Sequence, residues 1–471
     1  MKILAWRDLD PAGRRAALAR PEQRGDPALR DAVRAIVEDV RDGGWAALVR
    51  QAERIDGAPP RLVPVAPAAA EARRALPAAA VDAIELAARN IAAFHEGSLP
   101  AEHAVEAIPG LVVRKVWRAV DRVGLYVPGG KTPLFSTLLM LALPARAAGV
   151  RELVVVTPPS TGPSAEGLSP LVALAAEHCG IDAIWTVGGA QAVAALAFGA
   201  GAIPAVAKIC GPGNAWVSEA KNLVASLPGG PAIDMPAGPS ELMVIADEGA
   251  DPAMVAADLL GQAEHDPSAQ VLLVTPSGPL ARAAEAEVAR QVRTLPRADI
   301  AERALCAARI LIAADLAEAV EIANAYAPEH LSLAVANPEA LVPLIRNAGA
   351  IFAGRLAAET FGDYLAGSSH VLPTDGAARA WSGVSVHTFL KAMSVQTVTP
   401  EAARRLATPA ALLARLEGLE AHARAADARG TPLPGREGLG VGSGAVARSS
   451  ASVGSLRSLP TPDPSLSGRG G

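Results

Sequence analysis

Hydrophobic positions follow two different spacings along this chain, and the change falls near Val123. Before it, residues 31–55 and 80–94 carry apolar side chains three or four positions apart, which is the period of an amphipathic helix. The stretch 111–120 instead alternates apolar and basic residues, as a half-exposed strand does. The N-terminal part is therefore predicted to be mostly helical.

After Val123, short apolar runs alternate with helical patterns. Strands are predicted at 153–156, 183–187, 242–245, 271–274 and 310–312. Helices are predicted around them at 134–148, 168–178, 190–198, 215–227, 252–264 and 280–292. Repeated strand–helix units build parallel sheets with right-handed crossovers and helices on both faces. The pattern indicates an α/β protein, and the number of units favours two sheets over one.

One uncharged segment, 183–207, is long enough to span a bilayer. Gln191, several glycines and Pro204 divide it into strand, loop and helix signals, so a buried segment is predicted and no membrane span. Beyond residue 430 the composition turns to Ser, Gly and Pro without an aromatic residue. Residues 431–471 are therefore predicted to be a disordered tail outside the fold.

The chain has 471 residues, of which 51% are hydrophobic, and this is enough for two or three domains. A formal net charge of −5 gives no reason to expect nucleic acid or an anionic membrane as a partner. The three cysteines, Cys179, Cys210 and Cys306, form no Cys-x-x-Cys pair, which fits a reducing compartment. The first residues hold too short an apolar run for a signal peptide. We therefore expect a cytoplasmic protein.

Two short motifs carry most of the chemical information. In 261–266, the amide of Gln262 and the imidazole of His265 stand three residues apart. On a helix this spacing places both on one face, with Cβ atoms about 5–6 Å apart, close enough to bind one metal ion. Two polar residues on an exposed helix face would give the same pattern, and no His-Glu-x-x-His motif is present. Spacing alone leaves both interpretations open.

The second motif is 326–331, in which Glu329 and His330 precede an apolar, strand-like run. Neighbours on an extended chain point to opposite sides, so both reach one cleft only at a bend, for which Pro328 is a candidate cause. A neutral imidazole suits removal of a hydroxyl proton near neutral pH, and a carboxylate can orient water. The pair indicates acid/base catalysis, with a buried, hydrogen-bonded histidine as the alternative.

Loops rich in Gly and Pro occupy positions where open α/β sheets bind ligands, at 126–130, 188–191, 211–214 and 234–240. The loop 211–214 follows a short strand and opens a helix, but Trp216 replaces the third glycine of the dinucleotide fingerprint. The fingerprint is therefore incomplete, and this pattern alone gives NAD little support. Cys210 beside the loop is interpreted as a small buried residue in preference to a covalent nucleophile.

Taken in order, these motifs resemble those of the histidinol dehydrogenase family. The matching stretches are 123–130, 188–197, 211–214, 233–241, 257–265, 326–331, 348–352 and 370–374. The similarity runs from about residue 27 to residue 429, and the combination is specific although no single motif is. Ser368 and Ser369 replace a Pro-Asn pair usual in the family, and His387 stands where Tyr is common.

The resemblance implies an NAD-dependent dehydrogenase that oxidises L-histidinol to L-histidine through bound L-histidinaldehyde, using two NAD in succession. This is the last step of histidine biosynthesis. The resemblance also implies one zinc ion per subunit and an intertwined homodimer, in which the C-terminal segment of one subunit completes the partner's site. The implied fold is α/β, with two doubly wound, incomplete Rossmann-like parallel-sheet domains and small N- and C-terminal helical arms.

Residue roles follow by matching positions of the family's motifs. The implied acid/base pair is Glu329 and His330. The implied zinc ligands are Gln262, His265, Asp363 and His422. The implied substrate contacts are Ser240, Gln262, His265, His330, Asp363, Glu417 and His422. The implied NAD contacts are Tyr126, Gln191 and Asn214.

The expected domain organisation has four folded parts. It comprises an N-terminal arm (1–24), a first α/β domain with the metal and acid/base residues (25–125 and 241–384), a second α/β domain with the NAD contacts (126–240) and a C-terminal helical arm (385–430).

Two other functions stay open from the residues themselves. A zinc-dependent hydrolase would use Glu329 to activate a metal-bound water against a small amide. An α/β binding module would use zinc as a structural staple and would unfold when the metal is removed. NADH formation from L-histidinol separates the dehydrogenase from both.

Overall fold

The computed structural model describes residues 1–20, 27–129, 134–160, 167–236 and 238–430, so the predicted tail lies outside the described residues. Its strands are β1 (Lys2–Ala5), β2 (Arg61–Pro64), β3 (His103–Ile108), β4 (Leu111–Ala119), β5 (Arg122–Tyr126), β6 (Glu152–Thr157), β7 (Ala183–Thr186), β8 (Lys208–Cys210), β9 (Ala232–Ile233), β10 (Glu241–Ala246), β11 (Gln270–Thr275), β12 (Arg309–Ile312), β13 (His330–Ala334), β14 (Ala350–Ala353) and β15 (Leu390–Val398). Its α-helices are α1 (Pro11–Ala17), α2 (Pro27–Ile55), α3 (Val65–Ala75), α4 (Ala78–Gly97), α5 (Phe135–Ala147), α6 (Pro170–His178), α7 (Gly189–Phe198), α8 (Ala215–Ser226), α9 (Pro252–Ala263), α10 (Gly278–Gln291), α11 (Ala298–Leu305), α12 (Leu316–Tyr326), α13 (Glu359–Tyr364), α14 (Pro400–Leu416) and α15 (Glu420–Gly430).

Two six-stranded sheets dominate the fold, which confirms the predicted α/β class. The first sheet has the order β1-β12-β11-β10-β13-β14, and all its strand pairs are parallel. The second sheet has the order β2-β7-β6-β5-β8-β9 and is parallel except for β2, which is antiparallel to β7 at one edge. A smaller sheet contains β15, β4 and β3 in that order.

The central strands of the first sheet are buried along their whole length. Every residue of β10, β11 and β13 is buried, and helices cover both faces of the sheet with two apolar cores. A strand covered on both faces needs an almost continuous apolar run and not an alternating one. This is why the runs in 242–245 and 271–274 predicted strands correctly.

Strand pairing corrects one expected grouping. Residues 25–125 are predicted to belong with the first sheet, but β2 and β5 pair within the second. Helix α2 belongs there as well, because Val33 and Ile36 share an apolar core with Val193 and Leu196 of α7. The apolar face of α2 therefore finds its partner on the second sheet, while β1 of the N-terminal arm adds an edge strand to the first. The other predicted domain limits stay a prediction.

The chain divides into two compact units. One is Met1–Val105 with Val113–Gln396, and it contains both six-stranded sheets. The other contains Glu106–Val112 and the chain from Thr397 onward, including α14 and α15. Within the described part of the chain, no helix combines the length and apolar character needed to cross a bilayer.

A buried ion pair holds the loop after β8. Lys221 Nζ lies 2.5 Å from Asp234 Oδ1, with the two side chains 3% and 1% exposed. The same ammonium donates to Gly211 O at 2.8 Å, and Gly211 N donates to Asp234 Oδ2 at 2.7 Å. Gly211 has φ 126°, and a Cβ there would lie 2.1 Å from Tyr126 O, so only glycine fits. The pair thus fixes a backbone conformation that other residues cannot adopt.

We predict that Lys221→Met lowers the free energy of unfolding by about 3–5 kcal/mol, because it leaves the Asp234 carboxylate buried without a counter-charge. Denaturant unfolding followed by circular dichroism measures the change. Arg89→Met is the control, since it breaks an exposed pair with Glu85 and should change stability little. Similar small changes in both variants would contradict the role given to the buried pair.

Candidate active site

The acid/base motif lies where β13 begins, at the amino edge of the first sheet. Helix α12 ends at Tyr326, and Ala327 follows in the left-handed conformation with φ 57°. Non-glycine residues seldom adopt this conformation, so the surrounding contacts must hold the turn. The bend expected from Pro328 is therefore present one residue earlier, and it precedes the buried side chains of Glu329 and His330.

Both members of the motif bind the backbone of one residue on the neighbouring strand. Glu241 N donates to Glu329 Oε2 at 2.7 Å, and His330 Nδ1 lies 3.0 Å from Glu241 O. The parallel register, which pairs Leu242 with His330, places Glu241 beside them. Because a carbonyl oxygen only accepts, His330 Nδ1 carries the hydrogen and Nε2 has the free lone pair.

The His330 ring is set up as a neutral base. Burial lowers the pKa of His330 to about 3. Its Nε2 is buried without a hydrogen-bond partner among the described residues, and Asp363 Oδ1 lies 3.9 Å from it. Burial also raises the pKa of Glu329 well above its ordinary value. The pair can therefore accept a proton at an imidazole nitrogen and hold one at a carboxyl group.

Gln262 and His265 lie together at the end of α9. Gln262 is fully buried, and its Nε2 is 3.5 Å from His265 Nδ1. Burial lowers the pKa of His265, which favours the neutral imidazole that metal ions require. Gln262 Oε1 has no hydrogen-bond partner among the described residues. The two side chains thus lie next to each other, and the Gln262 carbonyl oxygen is left for another partner.

Helix α13 supplies two carboxylates one turn apart, Glu359 and Asp363. Glu359 Oε1 is 3.4 Å from His330 Nδ1, and burial raises the pKa of Asp363 to about 6 and that of Glu359 well above its ordinary value. Ligand atoms of His330, Glu359 and Asp363 lie within 4.8 Å of one another. Sequence reasoning missed Glu359, although its spacing of four residues from Asp363 on a short helix is a usable signal.

His370 is a second residue to which the sequence assigned no role. Its Nδ1 is 3.0 Å from Asp363 O, and its Nε2 is 3.0 Å from Thr137 Oγ1 on α5. Burial lowers the pKa of His370 to about 4, so this is a neutral hydrogen-bonded ring. His370 therefore ties the end of α13 to α5 and holds the backbone of Asp363.

The donor set fits a metal ion. The buried atoms Gln262 Oε1, His330 Nε2 and both carboxylate oxygens of Glu359 lack hydrogen-bond partners among the described residues. An unpaired buried polar atom costs about 1–3 kcal/mol, so the unpaired atoms of His330 and Glu359, whose ligand atoms lie within 4.8 Å of each other, are unfavourable unless a ligand satisfies them. Amide, imidazole and carboxylate donors suit zinc and other first-row divalent ions.

The predicted NAD contacts lie at the carboxyl edge of the second sheet. Gly189 N donates to Tyr126 OH at 3.2 Å, and Gln191 Nε2 donates to Asp56 Oδ2 at 3.0 Å. Asn214 caps α8, where its side chain accepts from two backbone amides. A cavity of about 730 Å³ is lined by Gln191 and Asn214 together with residues of α2, a size that suits a small-molecule ligand.

A seven-residue linker, 234–240, runs from the end of β9 to the start of β10. It therefore connects the carboxyl edge of the second sheet to the amino edge of the first. Ser240, the predicted substrate contact, is half-buried at the end of this linker, and its carbonyl accepts from Gln270 N at 3.0 Å. This linker thus joins the sheet that carries the predicted NAD contacts to the sheet that carries the predicted acid/base pair.

Two predicted residues belong to the other compact unit of the chain. Glu417 and His422 belong to the second compact unit, where Glu417 caps α14 and His422 lies in α15, and both are exposed.

Cys210 is fully buried, and this burial raises the pKa of its thiol far above its ordinary value, which argues against a thiolate nucleophile.

Comparison with known proteins gives a consistent result. A family model described as "Histidinol dehydrogenase" matches residues 18–430. The chain is 46% identical over 437 residues to a histidinol dehydrogenase of Xylella fastidiosa (strain 9a5c), covering 92% of this chain and 100% of the relative. It is 45% identical to that of Mannheimia succiniciproducens, covering 91% of this chain and 99% of the relative.

A solved structure agrees with this result. The crystal structure of histidinol dehydrogenase from Elizabethkingia anophelis superposes with a TM-score of 0.86 at 35% identity, covering 91% of this chain and 98% of that one.

Proposed function

This chain belongs to the histidinol dehydrogenase family, and we propose that it carries out the family's reaction with the residues gathered at the amino edge of the first sheet. It is an NAD-dependent dehydrogenase that oxidises L-histidinol in histidine biosynthesis. The observation that carries the residue assignment is the free, buried Nε2 of His330 beside Asp363. The finer roles below are proposals that this geometry supports.

The metal is zinc, and Gln262, His265 and Asp363 are the ligands from one subunit. The contact between the Gln262 and His265 side chains, the unpaired Gln262 Oε1 and the position of Asp363 next to His330 support this assignment. Bound zinc would supply a positive anchor for the imidazole and amino nitrogens of L-histidinol. The fourth ligand is His422 of a second subunit. Glu359, which is buried and without a hydrogen-bond partner among the described residues, lies close enough to serve the same cation.

His330 takes the hydroxyl proton of the substrate at Nε2, while its Nδ1–H stays bonded to Glu241 O and holds the ring in place. NAD, when bound, supplies the hydride acceptor. The aldehyde stays in the site, and Glu329 directs a water molecule to it, giving a hydrate with a second hydroxyl proton to remove. Tyr126, Gln191 and Asn214 hold each NAD in turn, and Ser240 and Glu417 hold the substrate. Two hydrides and two protons thus leave in succession.

The enzyme is a cytoplasmic homodimer with shared active sites. Helix α14 leaves Leu412, Leu413 and Leu416 between 58% and 76% exposed, an apolar row that a second subunit would cover. Phe361 and Tyr364, on the same helix as Asp363, are 55% and 46% exposed. These surfaces support a partner that brings Glu417 and His422 to the site.

Purified enzyme should form two NADH per L-histidinol, measured by the absorbance of NADH. A chelator should abolish turnover but leave the far-ultraviolet circular dichroism nearly unchanged, because zinc is proposed to bind a preformed site. Readdition of zinc should restore the rate. Absence of NADH formation by zinc-loaded protein that hydrolyses small amides would favour the hydrolase. Loss of secondary structure on chelation would favour the binding module.

We predict that His330→Asn lowers turnover by about 10²–10⁴-fold, the usual effect of losing a general base, and leaves the zinc content unchanged. Steady-state NADH assays and metal analysis measure both. His103→Asn, which changes an exposed histidine of β3, is the matched control and should behave like the unaltered enzyme. Turnover by His330→Asn within a few-fold of the control would remove His330 from the mechanism.

Shared sites predict complementation between two inactive variants. His265→Asn and His422→Asn should each lose zinc and activity, because each lacks one ligand of every site. Subunits of the two variants, unfolded and refolded together, form mixed dimers with one intact site, and the mixture should regain about a quarter of the activity and zinc content. If each chain builds its own site, neither activity nor zinc returns on mixing.

A further inference from the structure

The N-terminal arm ends in a side chain that reaches the start of β10. Arg20 Nε lies 2.5 Å from Glu241 Oε1, and Arg20 Nη2 lies 2.8 Å from Glu241 Oε2. This is the two-pronged geometry in which guanidinium binds carboxylate most strongly. Glu241 is 2% exposed, so its carboxylate depends on such a partner. Residues 221 positions apart in the chain are thereby joined.

Arg20 also caps the helix that leads to the acid/base motif. Its Nη2 donates to Tyr326 O at 2.9 Å and Ala327 O at 3.3 Å, and its guanidinium carbon lies 3.9 Å from the centre of the Tyr326 ring. These carbonyls belong to the end of α12 and to the left-handed turn that precedes Glu329. Helix-end carbonyls lack partners within the helix, so a cationic donor there stabilises the turn.

The arm itself is anchored next to Arg20. Ala19 O accepts from Gln270 Nε2 at 2.9 Å and from Arg309 Nη1 at 3.0 Å. Gln270 Oε1 in turn accepts from Tyr326 OH at 2.7 Å. The position of the guanidinium is therefore determined by β11, β12 and α12, and Arg20 connects the arm to the same strands as the site.

We propose that Arg20 is a positioning residue, which holds Glu241 so that its backbone N–H and C=O keep Glu329 and His330 in their reactive geometry. The inference rests on the proposed roles of Glu329 and His330. The backbone of one residue supports both side chains, because Glu241 N–H donates to Glu329 and Glu241 O accepts from His330. A shift of this residue moves both at once, and misplacement by about 1 Å can cost about 10²-fold in rate.

Arg379 provides a control within the chain. Its Nη2 donates to Ala325 O and lies 3.4 Å from Tyr326 O, so it caps the same helix end. Among the described residues, no contact between Arg379 and Glu241 is seen, whereas Arg20 binds both the helix end and Glu241. Arg379 Nη1 also donates to Gly376 O at 3.2 Å. Loss of Arg379 therefore removes the contacts with the helix end and with Gly376 but no hydrogen bond to Glu241, and the excess effect of losing Arg20 reports on Glu241.

The test compares Arg20→Gln, Arg20→Lys and Arg379→Gln in the full-length, zinc-loaded enzyme, with kcat, KM for L-histidinol, zinc content and Tm measured for each. We expect Arg20→Gln to lower kcat by about 10–10²-fold, with KM and zinc content within about threefold of the unaltered enzyme. Arg20→Lys keeps the positive charge but cannot form the two parallel hydrogen bonds of the guanidinium, so its kcat should lie between those of Arg20→Gln and the unaltered enzyme. Arg379→Gln should lose much less kcat even where its Tm falls equally.

A double variant tests whether Arg20 acts through Glu241. Glu241→Gln removes the charge that Arg20 balances, so the loss of kcat in Arg20→Gln/Glu241→Gln should be smaller than the product of the two single losses. Multiplicative losses, or equal losses of kcat in Arg20→Gln and Arg379→Gln, would overturn the proposal. If Arg20→Gln does not fold, Arg20→Lys decides, and an unchanged kcat in that folded variant counts against the role.

The same assays separate this inference from the proposed function. His330→Asn and Glu329→Gln are measured in parallel. If they retain turnover, the assignment of the acid/base pair fails, whatever the effect of Arg20. If they are inactive while Arg20→Gln has normal kcat, the pair stands and the positioning role fails.

Discussion

The parallel pairing of β10 with β13 is the interaction on which the site depends. Its register pairs Leu242 with His330, and Glu241 therefore lies beside the acid/base motif at the amino edge of the sheet. A change of register would move Glu241 N and O away from Glu329 and His330 and turn the buried apolar residues to the wrong face. The pairing thus determines which imidazole nitrogen carries the hydrogen, because Glu241 O can accept only from Nδ1–H. Open α/β sheets usually bind ligands at the carboxyl edge, so the chemistry here lies at the unexpected end of the first sheet.

Several side-chain atoms of the proposed site are buried without a hydrogen-bond partner among the described residues. Gln262 Oε1, His330 Nε2 and both oxygens of Glu359 have no hydrogen-bond partner among the described residues. Such atoms lower stability, and a bound ligand that forms bonds with them removes this cost. A carboxyl group with a raised pKa binds a cation once it has released its proton. An imidazole with a lowered pKa is already neutral and can bind a cation directly. The same burial that destabilises these groups without a ligand therefore fits the proposal that they hold a cation.

Sequence patterns predicted the parts of this protein whose physics is local. Apolar runs indicated the strands, and the spacing of Gln262 and His265 indicated two side chains in contact with each other. Long-range contacts left no local trace, so Arg20 was missed and residues 25–125, which include α2, were grouped with the first sheet. Glu359 was missed although it stands four residues from Asp363 on α13. The roles of Asp363, Glu417 and His422 came from family resemblance, because single polar residues near helix ends look like caps or solvated faces.

The linker 234–240 explains how a cofactor without the usual fingerprint meets a base on another sheet. Seven residues span at most about 25 Å, so the cofactor edge of the second sheet is tethered within reach of the amino edge of the first. The loop after β8 lacks the Rossmann glycine triad; Asn214 caps α8 there, and Asp56 at the end of α2 accepts from Gln191. The three proposed NAD contacts, Tyr126, Gln191 and Asn214, are uncharged, and weak cofactor binding would suit the proposed reaction, in which the first NADH leaves while the aldehyde stays. The missing fingerprint is therefore consistent with the proposed two-step oxidation, in which the aldehyde stays bound while NADH is exchanged for NAD.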